Sequence, residues 1–251
     1  MSSDSNARSR LLFFMHIPKT AGSSIHQILY RQYDGRLGVV AGQGPDEWDE
    51  LLSVPDHGLD CVFGHYGYGL HRCSVRPHEY TTMVRDPIEA MLSYYFYIAA
   101  QPSHWLYPYA AELTMTQFFD MPNEILDLFF RDYQSAFIVG RRPASAQEAI
   151  RALQAHFPLV GITELYHESV YLMKRRYGWG AVEVFHVNAT PNRPTREQID
   201  PEALDRIKRL IGIDIRLYRF ARTRLIQELR QLPRAEKRII EQFKAVGRLD
   251  D

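Results

Sequence analysis

Short apolar runs alternate with segments of helical periodicity along most of this chain. Residues 11–15 form an unbroken apolar run of strand length, and Ile25, Ile28 and Leu29 follow it at helical spacing. An unbroken apolar run is typical of a parallel strand that is buried on both faces. The pattern therefore predicts a buried strand, a connecting loop and then a helix over 23–33.

Further strand and helix signals follow in the same alternation. Strand-like segments rich in β-branched and aromatic residues are predicted at 60–65, 80–84, 159–162 and 182–187. Directly after 80–84, Asp86 can cap a helix that has Pro87 at its first position and Glu89 three residues after the cap. This signal predicts a long aromatic helix over 87–100.

Three more helical regions complete the predicted architecture. Ser145 and Glu148 form a second capping-box pattern, a helix is predicted near 164–177, and the pattern is helical from Pro201 onward. Alternating strands and helices are typical of a parallel sheet with helices packed on it. The predicted fold class is α/β, a three-layer P-loop-like fold with a mainly parallel central sheet flanked by helices.

The length and composition predict one domain. A chain of 251 residues with 45% hydrophobic content can bury a full core. We expect residues 1–251 to form a single domain, with residues 1–10 disordered. Residues 232–251 are predicted to be a polar helical extension, which could pack on its own domain or on a partner's.

Charge and cysteine content exclude several classes of partner. Lys plus Arg and Asp plus Glu number 30 each, so no global field attracts nucleic acid, an anionic membrane or a long polyanion. Cys61 and Cys73 are too few for a disulfide framework, which favours a reducing compartment. No apolar run approaches the roughly 18 residues of a membrane span. We therefore expect a soluble, cytoplasmic protein without a transmembrane segment.

The loop after the first strand, "HIPKTAGSS" at 16–24, has the composition of a phosphate site. Lys19 is the only lysine before Lys174, and Gly22 lies among several hydroxyl side chains. Unpaired N–H groups and the dipole at a helix start favour a phosphate at such a turn. The structural alternative is a proline-marked turn capped by serine, with Lys19 solvated.

A second strand-to-helix junction, "VRDPIEAMLSYY" at 84–95, also has phosphate-binding potential. Arg85 lies at the junction, and Ser93 lies about two turns into the predicted helix. In the alternative interpretation, Arg85 pairs with Asp86 or another nearby carboxylate and Ser93 is an ordinary helical serine. Taken alone, this junction does not distinguish the phosphate-binding interpretation from the structural one.

Together the two motifs resemble those of the PAPS-dependent sulfotransferases, where PAPS is 3′-phosphoadenosine 5′-phosphosulfate. The resemblance is to the branch that includes heparan sulfate 2-O-sulfotransferase and its bacterial relatives. "HIPKTAGSS" resembles that family's 5′-phosphosulfate loop, and "RDPIEAMLS" resembles its 3′-phosphate motif. Weaker matches lie at 63–71, 132–140, 160–169 and 188–194. One departure is Ala90, where the family often has a second arginine.

The resemblance implies roles for individual residues. Lys19 would face the leaving phosphate, and Arg85 and Ser93 would hold the 3′-phosphate. The 5′-phosphate would be held by the loop residues Thr20, Ala21, Gly22, Ser23 and Ser24. Asn192 and Arg193 are expected to close over the nucleotide by resemblance only, and Arg193 is equally consistent with a surface ion pair. The family needs no metal, and no metal-binding motif is present in the sequence.

His65 is the predicted general base. It follows a strand, at the edge where open α/β sheets bind ligands, and an imidazole can accept a proton near neutral pH. The resembled family has its catalytic histidine at this Gly-His position. His16 and His71 are alternatives: His16 is expected to pack at the start of the loop, and His71 lies in a loop that could meet the acceptor.

The predicted activity is transfer of a sulfuryl group from PAPS to a hydroxyl acceptor. That acceptor could be a small molecule, a glycan, a lipid or a carrier-bound chain. The aromatic stretch at 93–109 could form an acceptor wall, although its first half is expected to be core. Two alternative functions are considered. A P-loop kinase or ATPase would require a Gly-Lys pair, which the chain lacks. A non-catalytic nucleotide-binding module is the other alternative.

Overall fold

The computed structural model describes residues 10–40, 45–54, 57–184 and 193–250. Its strands are β1 (Leu11–Met15), β2 (Leu37–Val40), β3 (Cys61–Gly64), β4 (His78–Val84), β5 (Leu159–Ile162), β6 (Val182–Glu183) and β7 (Arg248–Leu249). Its α-helices are α1 (Gly22–Tyr33), α2 (Pro45–Ser53), α3 (Pro87–Ala99), α4 (Tyr107–Glu112), α5 (Met115–Phe118), α6 (Asn123–Phe129), α7 (Tyr133–Val139), α8 (Ala146–His156), α9 (Tyr166–Tyr177), α10 (Pro201–Leu210), α11 (Gly212–Gln231) and α12 (Arg234–Val246).

The central sheet confirms the predicted fold class. Five strands pair in the order β2-β3-β1-β4-β5, and all four pairings are parallel. The middle strand, β1, is buried at every residue, as its unbroken apolar run predicts. Helix α1 contacts β2 and β3, whereas α9 and α11 contact β5, so helices flank the sheet.

Parallel pairing brings the carboxyl ends of four strands to one edge of the sheet. Met15 of β1 is in register with Gly64 of β3 and with Thr82 of β4, and Val84 pairs with Ile162. The segments that follow these strands therefore lie side by side. They are the loop at 16–21, His65, Arg85 and Thr163, which places the predicted site residues of three separate segments at the same edge.

Both predicted helix caps are present, but the acidic partners differ from the capping-box pattern. Asp86 accepts the backbone N–H groups of Ile88 and Glu89, so it caps α3 as predicted. The N–H of Asp86 donates to Glu164, because the Glu89 carboxylate pairs with Arg193 instead. A tertiary contact with Glu164 thus replaces the contact that the Glu89 side chain would make in a capping box.

Two segments differ from the sequence-based predictions. The predicted strand at 182–187 does not join the main sheet: β6 pairs antiparallel with β7 in a separate two-stranded sheet, and residues 185–187 lie outside the described part of the chain. Strand β2 was not predicted. It is an edge strand of mixed burial, so it lacks the long apolar run that marks β1.

The C-terminal helix α12 packs on the same chain. Ile240 and Phe243 are buried, and the Phe243 ring lies 4.9 Å from the ring of His167 on α9. Lys244 also forms an ion pair with Glu168 of α9. Of the two arrangements considered for the extension, the structure shows packing on its own domain. Within the described ranges, every helix is too short or too polar to span a membrane.

Candidate active site

The loop between β1 and α1 has a strained backbone and an uncapped helix start. Lys19 and Ala21 both adopt positive φ angles, 67° and 68°, which are unfavourable for residues with a side chain. Ala21 is the N-cap of α1 and supplies no side-chain hydrogen bond. Left-handed residues in a turn direct successive N–H groups into a concavity that binds anions. The loop therefore has a backbone conformation that is compatible with an anionic ligand.

Gly22 is required by a side chain of the protein itself. A Cβ at this position would overlap the imidazole of His16, which lies directly over the glycine. The His16 ring also stacks on Phe63 at 5.1 Å and lies 4.3 Å from the ring of His65. Burial, followed by the nearby His65, His26 and Lys19, lowers the pKa of His16 to about 3. His16 is therefore a neutral packing residue at the base of the loop.

The loop is held in place by hydrogen bonds to its carbonyl groups. Thr20 is buried and does not line the cavity, and its hydroxyl donates to the Ile17 carbonyl at 2.8 Å rather than being directed at a ligand as predicted. The Tyr133 hydroxyl donates to the Pro18 carbonyl at 3.2 Å. Ser23 and Ser24, at the start of α1, line the cavity with Ala21 and Gly22.

Lys19 extends into the cavity and contacts an aromatic ring. Its ammonium nitrogen lies 4.2 Å from the centre of the Tyr97 ring on α3, a cation–π contact. Burial, together with the positive charges of Arg85 and Arg193, lowers the pKa of Lys19 to about 8. The ammonium is thus charged at neutral pH but has lost part of its hydration, and it lies among cations that an anionic ligand would neutralise.

His65 is oriented by one hydrogen bond to the phosphate loop. Its Nδ1 lies 3.0 Å from the His16 carbonyl oxygen. Since a carbonyl oxygen can only accept, Nδ1 carries the ring proton and Nε2 keeps a free lone pair. Burial of the ring lowers the pKa of His65, although the hydrogen bond to His16 opposes this shift. This tautomer is the one that a general base needs.

Arg85 is fixed through its backbone by a buried glutamine. The Gln134 side chain accepts the Arg85 N–H at 3.0 Å and donates to the Arg85 carbonyl at 3.1 Å. One guanidinium nitrogen donates to the Lys19 carbonyl at 3.2 Å, which ties the two phosphate-binding segments together. Its Nε is buried with no hydrogen-bond partner among the described residues. A buried N–H donor of this kind costs free energy unless a ligand accepts a hydrogen bond from it.

Two buried aspartates hold the helix that carries Gln134. Asp214 accepts the N–H groups of Gln134 and Ser135 at the start of α7, and Asp132 accepts those of Ile213 and Asp214 at the start of α11. The two helix starts therefore cap each other. Burial raises the pKa of Asp214 to about 7, with the Ser135 hydrogen bond lowering it and Asp132 raising it.

The remaining predicted residues differ in their placement. Ser93 is buried in α3 and lines the cavity. Arg193 forms an ion pair with Glu89 and lies close enough to Lys19 to affect its pKa, so both interpretations considered for Arg193 have support. Asn192 lies outside the described residues. Ala90 is fully buried, and its backbone N–H donates to the Asp86 carbonyl.

One cavity of about 600 Å³ connects these side chains. It is lined by His16, Pro18, Lys19, Ala21, Gly22, Ser23, Ser24, His65, Arg85, Ser93, Tyr94, Tyr97, His104 and Thr163. His71, the other alternative base, lies elsewhere: its ring stacks 4.3 Å from His78, which begins β4 at the opposite edge of the sheet. The prediction that His71 could meet the acceptor is therefore not supported by its position.

Five residues of the site were not singled out from the sequence: Tyr94, Tyr97, His104 and Thr163, which line the cavity, and Gln134, which holds Arg85. Tyr97 and His104 belong to the aromatic stretch that was considered as a wall, but nothing local distinguishes the rings that face the cavity from those that face the core. Gln134 meets Arg85 across 49 positions of sequence. Thr163, whose hydroxyl donates to the Val84 carbonyl, had a usable signal, because it follows the predicted strand at 159–162.

The fold and the cavity together define an α/β protein with a cavity at the carboxyl edge of its sheet, lined by Lys19, His65 and Arg85 from three separate segments. The same fold is present in the crystal structure of a sulfotransferase from Alicyclobacillus acidocaldarius. That structure aligns with a TM-score of 0.50 and 11% identity, over 85% of this chain and 96% of the other.

A second similar structure is mouse sulfotransferase SULT7A1 complexed with PAP. It aligns with a TM-score of 0.41 and 14% identity, over 68% of this chain and 59% of the other. The sequence matches no protein-family model and no curated protein.

Proposed function

We propose that this chain is a sulfotransferase that moves the sulfuryl group of PAPS to a hydroxyl acceptor. The observation that carries the proposal is the convergence of Lys19, His65, Arg85 and Ser93 on one cavity at the carboxyl edge of the sheet. A single phosphate site would not need two strand-to-helix junctions. A nucleotide with phosphates on both its 3′ and 5′ positions has one anionic group for each of the two junctions.

The residues present fit such a nucleotide at both ends. The uncapped start of α1, the left-handed loop residues and Lys19 supply donors and charge for the 5′ end. At the other end, Arg85 has a buried Nε without a hydrogen-bond partner in the described part of the chain, and Ser93 lines the same cavity. The missing second arginine at Ala90 leaves Arg85 and Ser93 as the principal ligands there. Arg193 is the nearest additional cation, since its charge acts on Lys19.

PAPS supplies an activated sulfuryl group on a phosphate leaving group. The reaction forms a bond between the acceptor oxygen and sulfur and breaks the bond from sulfur to the phosphate oxygen. His65 Nε2 takes the proton of the acceptor hydroxyl, because its Nδ1 is already committed to the His16 carbonyl. Lys19 neutralises the charge that develops on the departing oxygen, which is the preorganised electrostatic part of the catalysis.

The direct test is sulfate transfer by the purified chain. Radiolabelled PAPS is incubated with the protein and with fractions of a cell extract, and labelled products are separated. We expect a labelled product with the native chain and strongly reduced labelling with Lys19→Ala and His65→Ala. Labelling by the two variants at the level of the native chain would contradict the proposed roles of Lys19 and His65. Hydrolysis of PAPS with no transfer to an acceptor in any fraction would contradict the proposed activity.

A further inference from the structure

A row of aromatic rings leads from Lys19 to the surface. The row, called here the ring row, consists of Tyr97, His104, Trp105 and Phe129. The Lys19 ammonium lies 4.2 Å from the Tyr97 ring, which is 6.1 Å from the ring of His104. The Trp105 ring follows at 6.4 Å and the Phe129 ring at a further 5.1 Å.

Two members of the ring row are exposed, although aromatic rings are largely apolar. Tyr97 and Trp105 are 41% and 52% exposed, whereas Tyr95 of the same helix is buried in the core. Contiguous exposed aromatic side chains beside a cavity mark binding surfaces more often than isolated ones do. Tyr97 and Trp105 therefore extend the active-site cavity outward, whereas Phe129, at the far end of the ring row, also packs against the core.

The charges of the cavity exclude an anionic acceptor. Among the described residues that line it, the only lysine and arginine are Lys19 and Arg85, and the nucleotide uses both. Arg193 also lies close enough to act on Lys19, but it pairs with Glu89. A carboxylated or sulfated acceptor would therefore enter this cavity without a cation of its own, next to the phosphates of the nucleotide. Like charges in a partly desolvated site repel strongly.

The polar groups of the cavity also exclude an acceptor with many hydroxyls. His104 Nδ1 already accepts the Leu106 N–H at 3.1 Å, and the Thr163 hydroxyl donates to the Val84 carbonyl. The phenol groups of Tyr94 and Tyr97, which also line the cavity, are left to pair with hydroxyls of the acceptor. A sugar would bury more hydroxyls than these groups can pair, and each unpaired hydroxyl is costly.

We infer that the acceptor is an uncharged aryl alcohol whose rings lie along the ring row and whose hydroxyl lies between Lys19 and His65. This inference rests on the proposed function. The acceptor oxygen bonds to sulfur, the sulfur–phosphate oxygen bond breaks, and the hydroxyl proton moves to His65 Nε2. A phenolic hydroxyl, with an ordinary pKa of about 10, suits His65, because burial has lowered the pKa of the imidazole and weakened it as a base.

Acceptor length and one tryptophan provide the test. The native chain, Trp105→Ala and the control Tyr30→Ala are assayed with PAPS and either 4-methylphenol or 4-phenylphenol. Tyr30 is an exposed aromatic residue on α1 that does not line the cavity. We expect the native chain to sulfate both phenols. Trp105→Ala should raise the KM for the two-ring acceptor by about tenfold, with the KM for the one-ring acceptor and for PAPS unchanged, and Tyr30→Ala should change none of them.

Binding of adenosine 3′,5′-bisphosphate, or PAP, separates the two possible failures. A chain that does not bind PAP would overturn the proposed function and this inference together. A chain that binds PAP but does not sulfate either phenol would overturn only the inference. An unchanged KM for 4-phenylphenol in Trp105→Ala would also overturn it, as would equal losses in Tyr30→Ala.

Discussion

At the scale of single residues, the cavity combines two groups whose pKa values are lowered, chiefly by burial. Lys19 keeps its charge at neutral pH with a pKa of about 8, and His65 is neutral with a free Nε2. A leaving-group cation and a general base need these opposite states at the same pH. The surrounding chain acts on both residues: burial, then Arg85 and Arg193, lower the pKa of Lys19 but leave it charged at neutral pH, and the His16 carbonyl orients His65.

Removing the lysine should abolish most of the activity. We expect Lys19→Ala to lower kcat by roughly 10²-fold or more, the scale for losing a preorganised charge. The matched control is Lys208→Ala, which removes an exposed lysine of α10 that pairs only locally with Asp205. Steady-state kinetics on both variants measure the difference. A Lys19→Ala enzyme with the kcat of the control would refute the leaving-group role.

Removing the histidine should be equally damaging. We expect His65→Ala to lower kcat by about 10² to 10⁴, the range for a general base. His71→Ala serves as the control, because His71 lies at the other edge of the sheet. Near-normal turnover by His65→Ala, or a comparable loss in His71→Ala, would assign the base to another residue.

The dependence of kcat/KM on pH should be bell-shaped. His65 must be neutral, and its pKa lies below the ordinary 6.5, so activity should fall only as pH drops below that value. Lys19 must be charged, so activity should also fall as pH rises through about 8. In Lys19→Arg the residual activity should lose the alkaline limb, because a guanidinium stays charged. An alkaline limb that persists in this variant would belong to a different group.

At the scale of secondary-structure elements, Arg85 depends on a helix that is remote in sequence. Gln134 of α7 holds both the N–H and the carbonyl of Arg85, and Asp214 of α11 holds the start of α7. Arg85 lies at the end of β4, where the strand's own hydrogen bonds stop. The glutamine therefore continues the backbone pairing that positions the guanidinium.

Replacing this glutamine should weaken nucleotide binding. Gln134→Leu removes two buried hydrogen bonds worth about 1 kcal/mol each, so we expect the Kd for PAP to rise by about tenfold. The control is Gln227→Leu, since Gln227 is exposed on α11. Calorimetric titration on folded samples of both variants makes the comparison. An unchanged Kd in Gln134→Leu would show that Arg85 does not need this support.

Local sequence signals predicted the elements better than the contacts between them. The apolar run of β1 and the Asp86 and Ser145 caps depend on neighbouring residues, and all three are present as predicted. The contacts of Gln134 with Arg85 and of Glu164 with Asp86 join positions 49 and 78 apart, which no local pattern reveals. The short edge strand β2 escaped prediction because its mixed burial leaves no clear apolar period.

At the scale of the whole molecule, topology assembles the site. The sequence alone places three segments of the site together, because each follows a predicted strand and the carboxyl ends of parallel strands lie at one edge of the sheet. The distances within the cavity, the tautomer of His65 and the side of α3 that faces Lys19 depend on packing and required the structure. The sequence therefore predicts that these three segments meet, but neither all of the residues that join them nor how the side chains are oriented.

Acid should destabilise the folded chain. Burial first, and then neighbouring cations, lower the pKa values of His16, His71 and His156. Below pH 6.5 the unfolded chain then binds more protons than the folded one, so the free energy of unfolding falls with pH, for His16 down to about pH 3. Asp214, with its pKa raised to about 7, acts in the opposite direction above its ordinary 3.8.

Urea unfolding at pH 7 and pH 5 tests this balance. The three histidines outnumber the two aspartates whose pKa values burial raises, Asp214 and Asp132, so we expect lower stability at pH 5. His16→Phe should reduce the difference, because a neutral ring can keep the stacking on Phe63. A stability that does not change with pH, or an equal change in His16→Phe, would contradict the assigned balance.

The central claim is that the cavity is a two-ended site for a 3′,5′-bisphosphate nucleotide. Thermal unfolding with PAP, adenosine 5′-monophosphate and ATP with magnesium tests it directly, since a ligand that binds the folded state raises the Tm. We predict the largest rise with PAP, a smaller one with the monophosphate that lacks the 3′ anion, and loss of this difference in Arg85→Leu. A rise with magnesium ATP that equals or exceeds the rise with PAP would contradict the claim.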